Sequence, residues 1–167
     1  PNGRRGVLSS TVRFWRSSRG RERPRFQLST WTTSELSSWK ARAVRIGLDS
    51  SVLIAAMHGN HPMHGAAAAW ITHALPRHEL VVAHHTVLEC YAVLTRLPGA
   101  LRVTGDEANR LMSHTIRAQM EVAAFDPAWM WELIDGMAGR HVSGGRSYDA
   151  FIAEILCRSQ CTAIATF

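Results

Sequence analysis

The stretch Val44–Met57, VRIGLDSSVLIAAM, places one acidic residue between two apolar segments. The run Val44–Leu48 predicts a buried first strand that ends at Asp49. A serine, Ser50 or Ser51, then opens a short helix over the apolar residues that follow. Ligands collect beyond the carboxyl ends of strands in open α/β sheets, so Asp49 occupies a position where a functional site is expected.

The same alternation of short apolar strands and helices continues to the end of the chain. Further strands are predicted at 79–83, 122–125 and 162–166, and helices at 63–75, 86–97, 104–119, 127–138 and 147–159. Thr104 with Glu107 forms a capping box, Asp126 before Pro127 is typical of a helix start, and Ser147 is expected to cap the last helix. Strands alternating with helices indicate βαβ units and a parallel sheet.

The charge of the chain is divided unevenly between two parts. The 167 residues carry 19 basic and 13 acidic residues, a net charge of +6. Residues 1–45 hold eleven of the basic and two of the acidic residues, whereas 46–167 hold eight and eleven. We therefore expect a basic leader over 1–43 and a mildly acidic domain over 44–167.

The leader is rich in Ser, Thr and Arg and has no sustained helical or strand period, so its composition predicts disorder. Two interpretations stay open. Its arginines interleave with aromatic residues, a pattern that suits an arm for single-stranded nucleic acid. Alternatively, the leader is not native and the protein begins near Val44.

Composition also excludes several classes of protein. No apolar run approaches the roughly 18 residues of a membrane-spanning helix. Three cysteines, an odd number, do not make a disulfide framework and suit a reducing cytosol. We therefore expect a cytoplasmic domain with a hydrophobic core of its own.

Three acidic residues lie in apolar surroundings, at Asp49, Glu89 and Asp149. Each has an ordinary explanation: a helix cap, a solvated helix face and a favourable helix dipole, respectively. If the three converge at the end of the sheet, their mutual repulsion requires a proton or a divalent cation. An oxygen-only set of carboxylates suits Mg²⁺ or Mn²⁺.

Four segments in order carry a resemblance to the PIN-domain ribonucleases, above all the bacterial VapC-type toxins of toxin–antitoxin pairs. They read GLDSSVLIAA (47–56), VLECYAVLTRL (87–97), GGRSYDAFIAEI (144–155) and AIATF (163–167). The resemblance implies a three-layer α/β/α sandwich with a short central parallel sheet. It also implies cleavage of RNA with Mg²⁺ or Mn²⁺, a cognate antitoxin, and a homodimer.

By motif position, the resemblance assigns the catalytic and metal-binding acids to Asp49, Glu89 and Asp149, with Ser50 as a supporting hydroxyl. The family continues past the AIATF-like strand with an Asn, a further acid and a closing strand, which this chain lacks. We therefore expect a domain that is incomplete at its C-terminus, with its last strand truncated and the activity of this chain in doubt.

Other residues suggest weaker alternatives. Arg146 precedes the Asp149 helix and Arg96 follows Glu89 on its helix, so either could contact a substrate phosphate. A zinc site would use some of the residues His58, His61, His64, His84, His85, Cys157 and Cys161, but Gly59 and Pro62 break any helix that would align the first three histidines.

The sequence thus favours a metal-dependent endoribonuclease of the toxin class. The main alternative is a catalytically silent PIN module that binds nucleic acid or sequesters an antitoxin. A DNA or flap nuclease on the same fold is a third possibility.

Overall fold

A computed structural model describes residues 13–17, 26–30 and 43–167. The strands are β1 (Arg13–Ser17), β2 (Phe26–Thr30), β3 (Arg45–Leu48), β4 (Glu79–Ala83), β5 (Glu121–Ala123) and β6 (Ala163–Thr166). The α-helices are α1 (Ser50–Met57), α2 (His64–Ala74), α3 (His84–Arg96), α4 (Gly105–Met112), α5 (Met130–Ala138) and α6 (Arg146–Arg158). Short 3₁₀ turns cover Gly99–Leu101 and Pro127–Trp129, and a π-helical turn covers Ser113–Arg117.

The strands form one sheet in the order β2-β1-β6-β3-β4-β5. Strands β6, β3, β4 and β5 are parallel, with Ile46 opposite Leu80 on one side and Ala163 on the other. The predicted parallel sheet is therefore confirmed. Parallel strands end at the same edge, and so the residues that follow β3 and β4 lie beside each other.

Helices cover both faces of the sheet, which confirms the predicted three-layer sandwich. Alternate residues of the strands point to opposite faces. Ile46, Leu48, Leu80 and Val82 belong to the core that packs against helices α1–α4. Val81, Ala83 and Ile164 belong to the other core, with the apolar faces of α5 and α6.

Several helix boundaries differ from the predicted ones; α3, for example, begins at His84 and not at Thr86. The capping box of Thr104 and Glu107 is present, but α4 ends at Met112 and continues as a π-helical turn to 117 instead of an α-helix to 119. Asp126 caps as expected, although the turn that Pro127 opens is 3₁₀. The prediction for Ser147 is wrong, because it lies inside the first turn of α6 and donates a 2.6 Å hydrogen bond to the Gly144 carbonyl.

Two segments of the basic leader are strands, where the sequence predicted no regular structure. Strand β1 pairs antiparallel with β6, Arg13 opposite Thr166, and β2 pairs antiparallel with β1. This pairing covers the backbone N–H and C=O groups that β6 would otherwise leave unpaired at the sheet edge. The pairing depends on main-chain hydrogen bonds and requires no alternating pattern of side chains, so the sequence does not reveal it. The rest of the leader lies outside the described residues, and the structure does not test whether the leader is native.

Arg45 links three strands at the amino end of the parallel sheet. Its guanidinium donates to Glu79 and Glu121, each at 2.7 Å, and to the Ser159 carbonyl at 2.8 Å. These contacts connect the starts of β3, β4 and β5 with the end of α6. The hydrogen bond to Glu121, and then the one to Glu79, raise the pKa of Arg45 above its ordinary value in spite of burial.

Within the described part of the chain, every helix is too short or too polar to cross a membrane.

Gly47 of β3 lies directly against Leu156 of α6. A Cβ at this position would lie 2.5 Å from Cδ1 of Leu156, a side chain with no exposed surface. Gly47→Ala is expected to lower the free energy of unfolding by about 1–3 kcal/mol, because the packed core must shift to accept a methyl group.

Gly65→Ala in α2 is the matched control, since a Cβ there meets nothing within 4 Å. It should leave stability unchanged or raise it by up to about 1 kcal/mol. Urea unfolding of both variants measures the difference, and equal stability of the two would contradict the close approach of α6.

Candidate active site

Asp49 stands between β3 and α1, at the carboxyl edge of the sheet. Its backbone N–H donates to the Ala165 carbonyl of β6 at 3.1 Å, which extends the parallel ladder by one residue. Its Oδ1 accepts the Ser50 N–H at 2.8 Å, so it caps α1. Asp49 is therefore a helix cap and a candidate site residue at the same time, and the two roles do not exclude each other.

The other carboxylate oxygen of Asp49 is held by two hydroxyl groups. Oδ2 accepts hydrogen bonds from Ser51 Oγ and from Thr166 Oγ1, both at 2.9 Å. The two hydroxyls lie 3.4 Å apart, and Ser51 Oγ also accepts the Phe167 N–H at 3.3 Å. The orientation of the carboxylate is thus set jointly by α1 and β6.

Ser50 makes a weaker side-chain contact than its neighbour. Its Oγ lies 3.5 Å from Asp49 Oδ1, at the outer limit of a hydrogen bond. Sequence reasoning missed Ser51 and Thr166 as partners of the carboxylate. Ser51 could have been found from the two-residue spacing at a helix start, whereas Thr166 depends on the pairing of β6 with β3.

Glu89 lies half-buried on α3, beside the fully buried Cys90. Burial raises the pKa of the Cys90 thiol to about 12, and the negative charges of Glu89 and Asp49 contribute in the same direction. Helix α1, which Asp49 caps, packs against α3, which carries Glu89.

Asp149 is exposed in the first turn of α6. The preceding residue, Tyr148, stacks on His85 of α3 with ring centroids 5.4 Å apart and an angle of 4° between the planes. His85 lies one helical turn before Glu89, on the same side of α3. The start of α6, which carries Asp149, is thereby held next to the part of α3 that carries Glu89.

The three acids share an edge of the sheet but do not close into a compact cluster. Across residues 13–17, 26–30 and 43–167, no three His, Cys, Asp or Glu side chains lie close enough together to hold a metal ion. Mg²⁺ commonly keeps several waters and takes only one or two protein carboxylates. The oxygen-only donors around Asp49 therefore fit such an ion.

The histidines of the α1–α2 connection are engaged with backbone groups. His58 Nε2 lies 2.9 Å from the Leu101 carbonyl, and His64 Nδ1 lies 3.1 Å from the Ala55 carbonyl. His61 Nδ1 accepts the Met63 N–H at 3.1 Å. These contacts account for the three histidines as loop-stabilising residues, and they give the zinc alternative no support.

The two candidate arginines differ in position. Arg146 is exposed at the first residue of α6, in the same turn as Asp149. Arg96 is exposed at the last residue of α3, about 10 Å along the helix axis from Glu89. Arg146 is therefore the better placed of the two for a ligand near the acids.

The cysteines are poor nucleophiles. Burial raises the pKa of Cys157 and Cys161 to about 12, as it does that of Cys90. A thiol with such a pKa is almost fully protonated at neutral pH and does not attack substrates.

The hydroxyl contacts of Asp49 are expected to stabilise the fold measurably. Ser51→Ala or Thr166→Val should each lower the free energy of unfolding by about 1–3 kcal/mol, because a half-buried carboxylate loses a donor. Thr72→Val is the control, since the exposed Thr72 hydroxyl bonds, among the described residues, to the Ala68 carbonyl of its own helix. Chemical denaturation measures the free energy of unfolding of the three variants. Changes below about 0.5 kcal/mol in all of them would be evidence against a stabilising role for the Ser51 and Thr166 hydroxyls.

Comparisons with known proteins agree with this architecture. The family model described as the PIN domain matches residues 46–167. Ribonuclease VapC27 of Mycobacterium tuberculosis (strain ATCC 25618 / H37Rv) is 31% identical over 108 residues, 65% of this chain and 74% of the relative. Ribonuclease VapC40 of the same organism is 34% identical over 107 residues, 64% of this chain and 75% of the relative.

A solved structure shows the same fold. The crystal structure of Mycobacterium tuberculosis VapC20, described as a sarcin-ricin loop cleaving toxin, superposes with a TM-score of 0.55 at 14% identity. The superposition covers 68% of this chain and 82% of that one. The family match spans most of the described domain and includes all three candidate acids, and the chain therefore belongs to the PIN domain family.

Proposed function

We propose that this chain is a divalent-cation-dependent endoribonuclease, the toxin component of a toxin–antitoxin pair, which hydrolyses RNA phosphodiester bonds. The observation that carries the proposal is the Asp49 carboxylate, fixed by a backbone donor and two hydroxyls at the carboxyl edge of the sheet. Relatives that share the domain at 31–34% identity are named ribonucleases. The toxin class of the proposal rests on those relatives.

Asp49 is proposed as the principal ligand of Mg²⁺ or Mn²⁺, with Glu89 and Asp149 completing the acidic site. When bound, the cation supplies positive charge for the phosphate oxygens and activates water for in-line attack. Ser51 and Thr166 hold Asp49 in one orientation, so little reorganisation is needed when a ligand binds. Ser50, at the first position of α1, supports the same carboxylate by donating its backbone N–H to Asp49 Oδ1.

Arg146 is proposed as a phosphate contact. Its guanidinium is exposed at the start of α6, three residues before Asp149, which places the two on the same face of the helix. A phosphodiester held there would lie beside the acids. Arg96, two turns beyond Glu89, is the weaker candidate for this role.

Cleavage of RNA in the presence of Mg²⁺ is the direct test. The wild-type chain should cleave at least one member of a panel of structured and single-stranded RNAs, with DNA included to detect a DNA nuclease. Asp49→Asn, Glu89→Gln and Asp149→Asn should each reduce the rate by about 100-fold or more, because each removes charge that the cation and phosphate require.

Asp135→Asn is the control for this series, since Asp135 is an exposed acid of α5, outside the candidate site. It should leave the rate within about twofold. Equal rates for the wild type and for Asp49→Asn would overturn the assignment of the site.

Cation binding separates an active site from a silent module. Mn²⁺ at 100 times its dissociation constant should stabilise the wild type by about 2.7 kcal/mol, and Asp49→Asn should lose most of this stabilisation. Thermal unfolding with and without Mn²⁺ measures it. A silent module would bind RNA in a salt-sensitive way without turnover, and Mn²⁺ would leave its unfolding temperature unchanged.

A cognate antitoxin and a homodimer are proposed as partners, in the cytoplasm. Several large apolar side chains are exposed and could serve such contacts. Leu88 on α3 is 66% exposed and Trp131 on α5 is 75% exposed. Apolar surface of this kind is typical of interfaces.

A further inference from the structure

An aromatic pair joins the two helices that carry the candidate acids. Tyr148 of α6 and His85 of α3 stack with centroids 5.4 Å apart and nearly parallel planes. Tyr148 directly precedes Asp149, and His85 precedes Glu89 by one helical turn. The pair therefore lies at the same edge of the sheet as the acids.

Further aromatic rings pack against the His85 side of the pair. Phe151, one turn after Tyr148, meets His85 edge-on at 5.6 Å and His84 edge-on at 5.8 Å. Phe151 in turn packs against the buried Phe125 at 5.0 Å. His85 is thus held by two residues of α6, and its orientation under Tyr148 is fixed by the core.

Tyr148 itself remains open to solvent. The residue is 60% exposed although its ring is stacked on His85. Within the described part of the chain, the Tyr148 hydroxyl makes no hydrogen bond, so hydrogen bonding does not account for the position of this side chain. A rigid, flat, exposed aromatic ring whose one face is covered by a fixed partner presents its other face to a ligand.

We propose that Tyr148, backed by His85, is a stacking platform for an unpaired nucleobase of the RNA substrate. The inference rests on the proposed function and adds a substrate feature to it. A base stacked on Tyr148 would place its own backbone close to Arg146 and Asp149, which lie in the same turn of α6. Base–aromatic stacking tolerates any base, because every base has a π-face, and it requires that the base be unpaired.

Binding of a short single-stranded RNA that contains 2-aminopurine tests the platform, measured by fluorescence quenching in a full-length Asp49→Asn background that does not cleave. Tyr148→Ala should weaken binding by about five- to hundredfold, whereas Tyr148→Phe and Tyr148→Trp should stay within about twofold. Fully duplex RNA of the same length should bind equally to all four proteins.

Tyr91→Ala is the matched control, an exposed tyrosine on α3 that lines a cavity with Val122 and makes no ring stack with any described residue. It should bind the probe as the parent does. His85→Ala should weaken binding while His85→Phe retains it, because a flat ring is what supports Tyr148.

Equal affinity of Tyr148→Ala and the parent would overturn the platform, and so would a loss in Tyr148→Phe as large as that in Tyr148→Ala. If the wild-type chain neither cleaves nor binds any RNA, the proposed function falls and the platform with it. If the wild type cleaves RNA and Tyr148→Ala does so with unchanged KM and kcat, only the platform falls.

Discussion

The parallel pairing of β3 with β6 is the constraint on which the candidate site depends. It brings Thr166, at the end of β6, to within 2.9 Å of the carboxylate that ends β3. Without this register, Asp49 would be an ordinary helix cap with one backbone donor and one neighbouring serine. The hydrogen bonds between two main chains therefore decide whether a capping carboxylate is also held by a residue of a second strand.

The carboxylates at the two ends of the sheet have different partners. At the amino end, Glu79 and Glu121 share the guanidinium of Arg45, and the negative charges are compensated within the protein. At the carboxyl end, the donors that the described residues offer to Asp49 are a backbone N–H and hydroxyl groups, all of them neutral, and they orient the carboxylate. This carboxylate lies at the edge where α/β proteins bind ligands, and it is the group that the proposed cation site would use.

Much of the architecture could be predicted from the sequence, because short apolar strands and capped helices are local signals. The four parallel strands, the capping box at Thr104 and the position of Asp49 all follow from patterns of a few residues. The partners of Asp49 could not be found in this way, since Thr166 is 117 residues distant and contacts it only through sheet pairing. The stack of Tyr148 on His85 is non-local for the same reason. Strand β1 of the leader depends on main-chain pairing with β6, and β2 depends on pairing with β1, and neither pairing leaves a period in the side chains.

Gly47 and Leu156 together occupy one volume that a strand and a helix share. The spacing between α6 and the sheet is set by that volume, and α6 also carries Asp149 and Tyr148 at its start. A larger residue at 47 would need a smaller one at 156 to keep the helix in place. The two positions are thus expected to covary in related sequences, although both are buried in the core. A substitution in the core could in this way shift half of the site.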